Sequence, residues 1–149
     1  MHDGRALLLS IRPRYARAIL DGTKTVEVRR RAVRALPGTP VVLYATTPTM
    51  AVVGTAVLGE ALVCDPETAW REHHLSLGLA RDEFDAYVSG VCPCLLFLND
   101  VASLDDPIRL EDLQRRWASF RPPQSYRYLS GADPEAVRGL VRSSSGLAF

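Results

Sequence analysis

The sequence predicts an α+β domain: a small, strongly bent β-sheet or β-barrel of about five strands with flanking short helices. Three observations predict it. The apolar runs are short and bounded by turn residues, as in Val41–Ala45 after Pro37-Gly38. Helix-start patterns stand between them, with Pro13 after the first run, Asp65-Pro66 after a later one and Asp133-Pro134 near the end. A chain of 149 residues with 47% hydrophobic content fills one core and is too short for two.

Taken in order, Ala6–Ile11 reads as a buried strand. Pro13 opens a short helix that places Tyr15, Ala18 and Ile19 on one face and ends at Gly22. Thr25–Arg31 reads as a strand, with Val26 and Val28 on one side and Glu27, Arg29 and Arg31 on the other. Val41–Ala45 is the next strand, and Val52–Val63 is long enough to bend at Gly54 or Gly59. Asp65 caps a helix to about His74. Arg81–Ser89 forms another, with Phe84, Tyr87 and Val88 as its apolar stripe. Cys94–Leu98 is a strand, and Leu110, Leu113 and Trp117 form the inner face of a helix. Arg121–Leu129 is extended, and a last helix runs from Asp133-Pro134 to about Arg142. Ser143–Ser145 reads as a flexible tail.

The net charge is +1, but it is unevenly distributed. Residues 1–40 hold nine basic and three acidic side chains, a net of +6, whereas the remainder holds nine and fourteen, a net of −5. A basic region against an acidic remainder suggests a face that attracts an anion. Three cysteines, an odd number, with no signal peptide and no long apolar run point to a reducing, cytoplasmic setting and away from the membrane.

Lys24 is the only lysine among the 18 basic residues. An amine can lose its proton near neutral pH when its surroundings press it, whereas guanidinium stays charged. It stands in a dense polar stretch with Glu27, Arg29 and Arg30. Glu27 and Arg29 share a strand face ~7 Å apart. The cations could hold a phosphate, and the carboxylate could orient them or accept from a base edge. Ser10, Arg12 and Arg14 leave the first strand at a helix N-terminus, where they could bind an anion or simply cap the helix. Tyr44 ends a strand, and Tyr126 and Tyr128 share a face of the closing segment. Any of these rings could stack on a base or plug the barrel.

Gly22-x-Lys24-x-x-Glu27-x-Arg29 resembles the signature of the ASCH domain, a family of the PUA-like superfamily of small β-barrels. Flanking segments resemble it in register: Leu8–Pro13 with Tyr15–Gly22, Val42–Ala45, Val52–Gly54, and Arg121-Pro122-Pro123-Gln124-Ser125-Tyr126 near the end. The likeness spans about residues 6–130, giving an expected ASCH domain over 1–130 and a C-terminal helical extension and tail over 131–149. An exposed last helix could serve dimerisation.

The resemblance implies a cleft in the barrel wall around the signature. It also implies RNA or a modified nucleotide or nucleoside as partner, with DNA and the oligomeric state left open. Some small members are hydrolases, either amidohydrolases on 4-acetylcytidine or ribonucleases. In the amidohydrolase type the lysine works with a threonine three residues on. Here Glu27 stands at that place, and an acid from the following helix, with Glu72 the nearest, would also be needed.

Two readings follow. The first is a nucleic-acid-binding module for single-stranded RNA or a modified nucleotide, with Ser10, Arg12, Lys24, Glu27, Arg29, Arg30, Tyr44, Gln124, Ser125 and Tyr126 at the site. The second is a small hydrolase with Lys24 as base or nucleophile and Glu27 as its partner. A carboxylate beside the lysine holds the proton on it, which favours binding. Lys24→Ala and Arg29→Ala are then expected to weaken binding without unfolding the chain. No metal or cofactor is expected. Cys92-Pro93-Cys94 lacks a second pair and reads as small core residues, and His73-His74 with His2 distant lacks ligand spacing.

Overall fold

The computed structural model describes residues 4–145; His2 lies outside them. The chain begins with β1 (Leu7–Ile11) and α1 (Pro13–Asp21), followed by β2 (Val26–Arg29), β3 (Pro40–Ala45) and β4 (Ala51–Val63). Next come α2 (Pro66–His73), a 3-10 turn (His74–Ser76), α3 (Arg81–Tyr87) and β5 (Cys94–Arg109). The chain closes with α4 (Leu110–Arg116), β6 (Tyr126–Tyr128) and α5 (Glu135–Ser145).

One six-stranded sheet runs in the order β2-β5-β4-β3-β1-β6. β1 and β3 are parallel, and the other neighbours are antiparallel. β5 extends to Arg109, well past the expected end at Leu98, and β6 is the sixth strand, confined to three residues of the segment expected only to be extended. Register shifts between β4 and β5 at Val52/Gly54, Thr55/Val57 and Leu58/Glu60 coincide with the expected bend. Gly54 is required there. A Cβ at this position would lie 2.6 Å from both the Ala102 carbonyl oxygen and the Leu20 side chain.

Local chemistry explains the helix starts. Pro13 occupies the first turn of α1, and the Asp65 carboxylate accepts from Thr68 N–H at 2.9 Å at the start of α2. Alternation along the strands then sorts the core. Leu7, Leu9, Ile11, Leu43 and Leu96 pack under Ala16 and Ile19 of α1. Leu8, Val42, Tyr44 and Val52 face the other way, against Leu110, Leu113, Val137 and Val141. Val26, Val28 and Leu95 meet Ala69, Leu77, Phe84 and Val88.

Because Val26 and Val28 take the outer packing, Glu27 and Arg29 point into the curled sheet and are buried. Helix α5 is not an exposed element along its apolar side: Val137 is 0% exposed and sits in the core beside β3. It runs to Ser145, through the serines expected to form a tail. Of the three cysteines, Cys94 is core as expected, but Cys92 is exposed and Cys64 half-buried.

The two edges of the sheet approach each other without a backbone ladder between them. Arg29 of β2 reaches the Ser10 carbonyl on β1 and Ser125 beside β6. The barrel is therefore closed at one seam by side chains, and the site described next lies in that seam.

Candidate active site

A cavity of about 290 Å³ opens at the seam. β1 and the start of α1 supply Ser10, Ile11, Arg12 and Tyr15. The turn into β2 supplies Lys24, and β2 itself Glu27, Val28 and Arg29. Thr46, Leu79, Tyr87 and Gln124 complete the wall. The volume sits at the lower limit of ligand pockets, ~300–1,000 Å³.

Lys24 is among the largest fully buried side chains of the described residues, 1% exposed. Its backbone is pinned by Lys24 N–H to the Ala18 carbonyl at 3.0 Å, and Thr25 N–H donates to the Ser76 carbonyl at 3.0 Å. The amine donates to the Leu77 carbonyl, lies 3.4 Å from Glu27 Oε1 and sits 5.2 Å from the centre of the Tyr15 ring. Burial pushes its pKa below the ordinary lysine value. Glu27 pulls it back up, while Arg29 and Arg14 add to the depression, and the net is downward. The carboxylate therefore does not dominate the amine, contrary to the argument from sequence.

Glu27 is shared. Its Oε2 accepts from Arg29 Nη2 at 2.7 Å and Nε at 3.0 Å, while Oε1 faces Lys24. Arg29 uses its remaining donors on the Ser10 carbonyl at 2.8 Å and on Ser125 Oγ at 3.2 Å and carbonyl at 3.4 Å. It is a bracket for the seam. Arg29→Ala, expected from the sequence to weaken binding without unfolding the chain, therefore also removes contacts that hold the seam.

The structure brings Ser10, Arg12, Lys24, Glu27, Arg29 and Gln124 to the cavity, with Ser125 behind Arg29. Ser10 Oγ donates to the Pro123 carbonyl at 2.7 Å, holding the 121–125 segment in place. Arg12, exposed at the start of α1, forms part of the rim. Arg14 instead makes a bidentate pair with Glu83 at 2.6 and 2.8 Å.

Other residues lie elsewhere. Tyr44 is 4% exposed in the core beneath α4 and α5, because strand alternation turns it away from the seam. The Tyr126 hydroxyl accepts from Arg34 N–H at 3.3 Å and that of Tyr128 donates to the Arg34 carbonyl at 2.6 Å, which carries both rings off the cavity. Arg30 donates to the Tyr87 and Ser89 carbonyls at 2.7 and 3.2 Å, anchoring the end of α3. Glu72 pairs with exposed Arg71. The aromatic wall consists of Tyr15 and Tyr87, whose helical spacing reads only as an apolar stripe in the sequence. Burial raises the Tyr87 hydroxyl above its ordinary pKa, so it holds its proton.

Gly78 seals the lysine slot. It has φ +66°, and a Cβ there would meet Lys24 Cβ at 2.9 Å and Cγ and Cδ at 3.2 Å. Gly78→Ala is expected to cost about 1–3 kcal/mol from the left-handed backbone and the clash; an unchanged urea midpoint would refute this packing.

Among the described residues there is no group of three or more His, Cys, Asp or Glu side chains placed to hold a metal, and no helix long and apolar enough to cross a membrane. The chain is similar to the ASCH domain-containing ribonuclease of Zymomonas mobilis, at 32% identity over 139 residues, 93% of this chain and 94% of that protein. It superposes on the crystal structure of ASCH from Zymomonas mobilis with a TM-score of 0.80 and 30% identity, covering 93% of this chain and 94% of that one. A structure from Agrobacterium tumefaciens, at 16% identity and a TM-score of 0.52 over 90% of each chain, shares the fold alone. The family model for the ASCH domain matches residues 9–114, and with the curled six-stranded sheet this places the chain in the ASCH domain family.

Proposed function

We propose that this domain binds single-stranded RNA in the seam cavity and cleaves it, with Lys24 as the reactive base. The observation that carries the reading is a fully buried amine, driven toward its neutral form and opening onto a cavity with cationic walls. A lysine placed only to attract phosphate has no need of such burial, since an exposed ammonium does that better. The related Zymomonas mobilis protein called a ribonuclease supports RNA as the substrate class. A cavity of about 290 Å³ has room for a single base but not for a duplex, and sequence-specific RNA recognition takes unpaired, splayed bases. Tyr15 and Tyr87 are the rings on which such a base would stack, at ~1–3 kcal/mol per base.

Amide hydrolysis on an acylated nucleoside is the weaker alternative. The threonine that works with lysine in that branch is replaced by Glu27, whose oxygens are engaged by Arg29 and by the Lys24 amine.

The test is a panel of end-labelled single-stranded RNA, single-stranded DNA and duplex RNA at fixed moderate salt, with binding followed by anisotropy and cleavage by gel. Single-stranded RNA is expected to be bound and cut, and the other two are not. Uncut RNA under all conditions would refute the ribonuclease reading. The pH profile is a second check. A base must be unprotonated to act, so kcat/KM is expected to rise with pH through the lowered Lys24 pKa and then level off. A profile that falls through that range would mean the ammonium form is the active one.

A further inference from the structure

The residues around Lys24 specify more than ribonuclease activity, and what they specify rests on that activity being present. Among the described residues Glu27 is the one carboxylate on the cavity wall, and both of its oxygens are occupied, Oε2 by Arg29 and Oε1 by the Lys24 amine. It is therefore poorly placed to activate a water. Arg29 has its donors engaged by Glu27, Ser10 and Ser125, leaving Arg12 as the cavity guanidinium free to take a phosphate. The remaining base is the Lys24 amine. Two of its three tetrahedral directions are held by the Leu77 carbonyl and Glu27, which leaves one for an incoming proton.

A site with one base and no water-activating carboxylate suits a substrate that carries its own nucleophile. RNA does, because the 2′-hydroxyl adjoins the scissile phosphate. Intramolecular attack of this kind has effective molarities up to ~10⁵–10⁸ M. The departing 5′-oxygen then needs a proton. Tyr87 lines the same cavity, and its hydroxyl lies within the electrostatic reach of Glu27, Arg29 and Arg12.

We propose that the domain cleaves RNA by transesterification, with Lys24 Nζ taking the 2′-hydroxyl proton and the Tyr87 hydroxyl protonating the leaving 5′-oxygen. The 2′-oxygen–phosphorus bond forms as the phosphorus–5′-oxygen bond breaks. The products are a 2′,3′-cyclic phosphate and a free 5′-hydroxyl, and no water is consumed. Lys24 ends protonated and Tyr87 ionised, and exchange of one proton between them through solvent restores the site.

The experiment is end-group mass spectrometry on a single-stranded RNA carrying one 2′-O-methyl nucleotide. Fragments with cyclic phosphate ends are expected, and cleavage is expected to vanish at the methylated linkage alone. A second arm tests Tyr87. Tyr87→Phe is expected to lower kcat by ~10²-fold or more on ordinary RNA. On RNA whose 5′-bridging oxygen is replaced by sulfur, which departs without a proton, the deficit is expected to disappear. Normal cutting at the methylated linkage, with 5′-phosphate ends, would overturn the transesterification while leaving the ribonuclease reading intact. Equal deficits on both substrates would remove Tyr87 as the acid. No cleavage of any RNA would overturn the ribonuclease reading and this proposal with it.

Discussion

Lys24→Met is expected to lower cleavage of single-stranded RNA by ~10³-fold, within the ~10²–10⁴ range for loss of a general base, while leaving the domain folded. Methionine is chosen for shape. It is unbranched, nearly as long, and keeps the Cβ and Cγ that pack on Gly78. The stability side follows from proton linkage. In the folded state Lys24 has a pKa below its ordinary value. Between the two values the unfolded chain binds the extra proton, so wild-type stability rises with pH across that window. Below it the protein carries the whole cost of burying an ammonium. At neutral pH and below, the methionine variant is therefore expected to be at least as stable as the wild type, and to lack that pH dependence. Urea melts across pH with matched cleavage assays give the answer. A variant that retains more than a tenth of the activity would remove Lys24 as the base. Lys24→Arg serves as a second check: it keeps the charge but cannot lose its proton, and it should be equally inactive.

Arg29→Ala is expected to destabilise the domain by about 3–5 kcal/mol, the usual consequence of breaking a buried ion pair on one side. Truncation leaves Glu27 with the more distant Lys24 contact, leaves the Ser10 carbonyl without its donor, and releases Ser125. Lysine at 29 cannot rescue it, because one ammonium cannot span Glu27, Ser10 and Ser125 together. Thermal or urea melts of both variants test this. A loss below ~1 kcal/mol would mean that the backbone closes the seam without the guanidinium, and that Arg29 belongs with the ligand-binding groups after all.

What was legible in the chain was local. Pro13, Gly22 and Asp65 act on their own neighbours, so α1 and α2 could be read from a few residues. The lone lysine in its motif pointed to the site. The hidden parts depend on partners distant in sequence. The second half of β5, residues 99–109, is largely exposed and without apolar alternation; it is a strand because β4 pairs with it. β6 is three residues long and exists through β1. Tyr44 ends a strand and Tyr87 a helix, and only the packing of those elements sends the first to the core and the second to the cavity. The downward direction of the Lys24 shift is hidden for the same reason: Glu27 is visible three residues away, but the depth of the slot is not.

The seam has a consequence for how this domain would drift under selection. If variants were sorted only for resistance to a protease, Arg29 would persist as firmly as any leucine beneath α1, since the scaffold opens without it. Position 24 would move the other way, toward methionine or leucine, because an apolar side chain fills the slot with no charge to bury. The survivors would keep the barrel and lose the chemistry. Two residues that flank the same carboxylate thus answer to opposite pressures, and a lysine that persists at position 24 is one that use, not folding, retains.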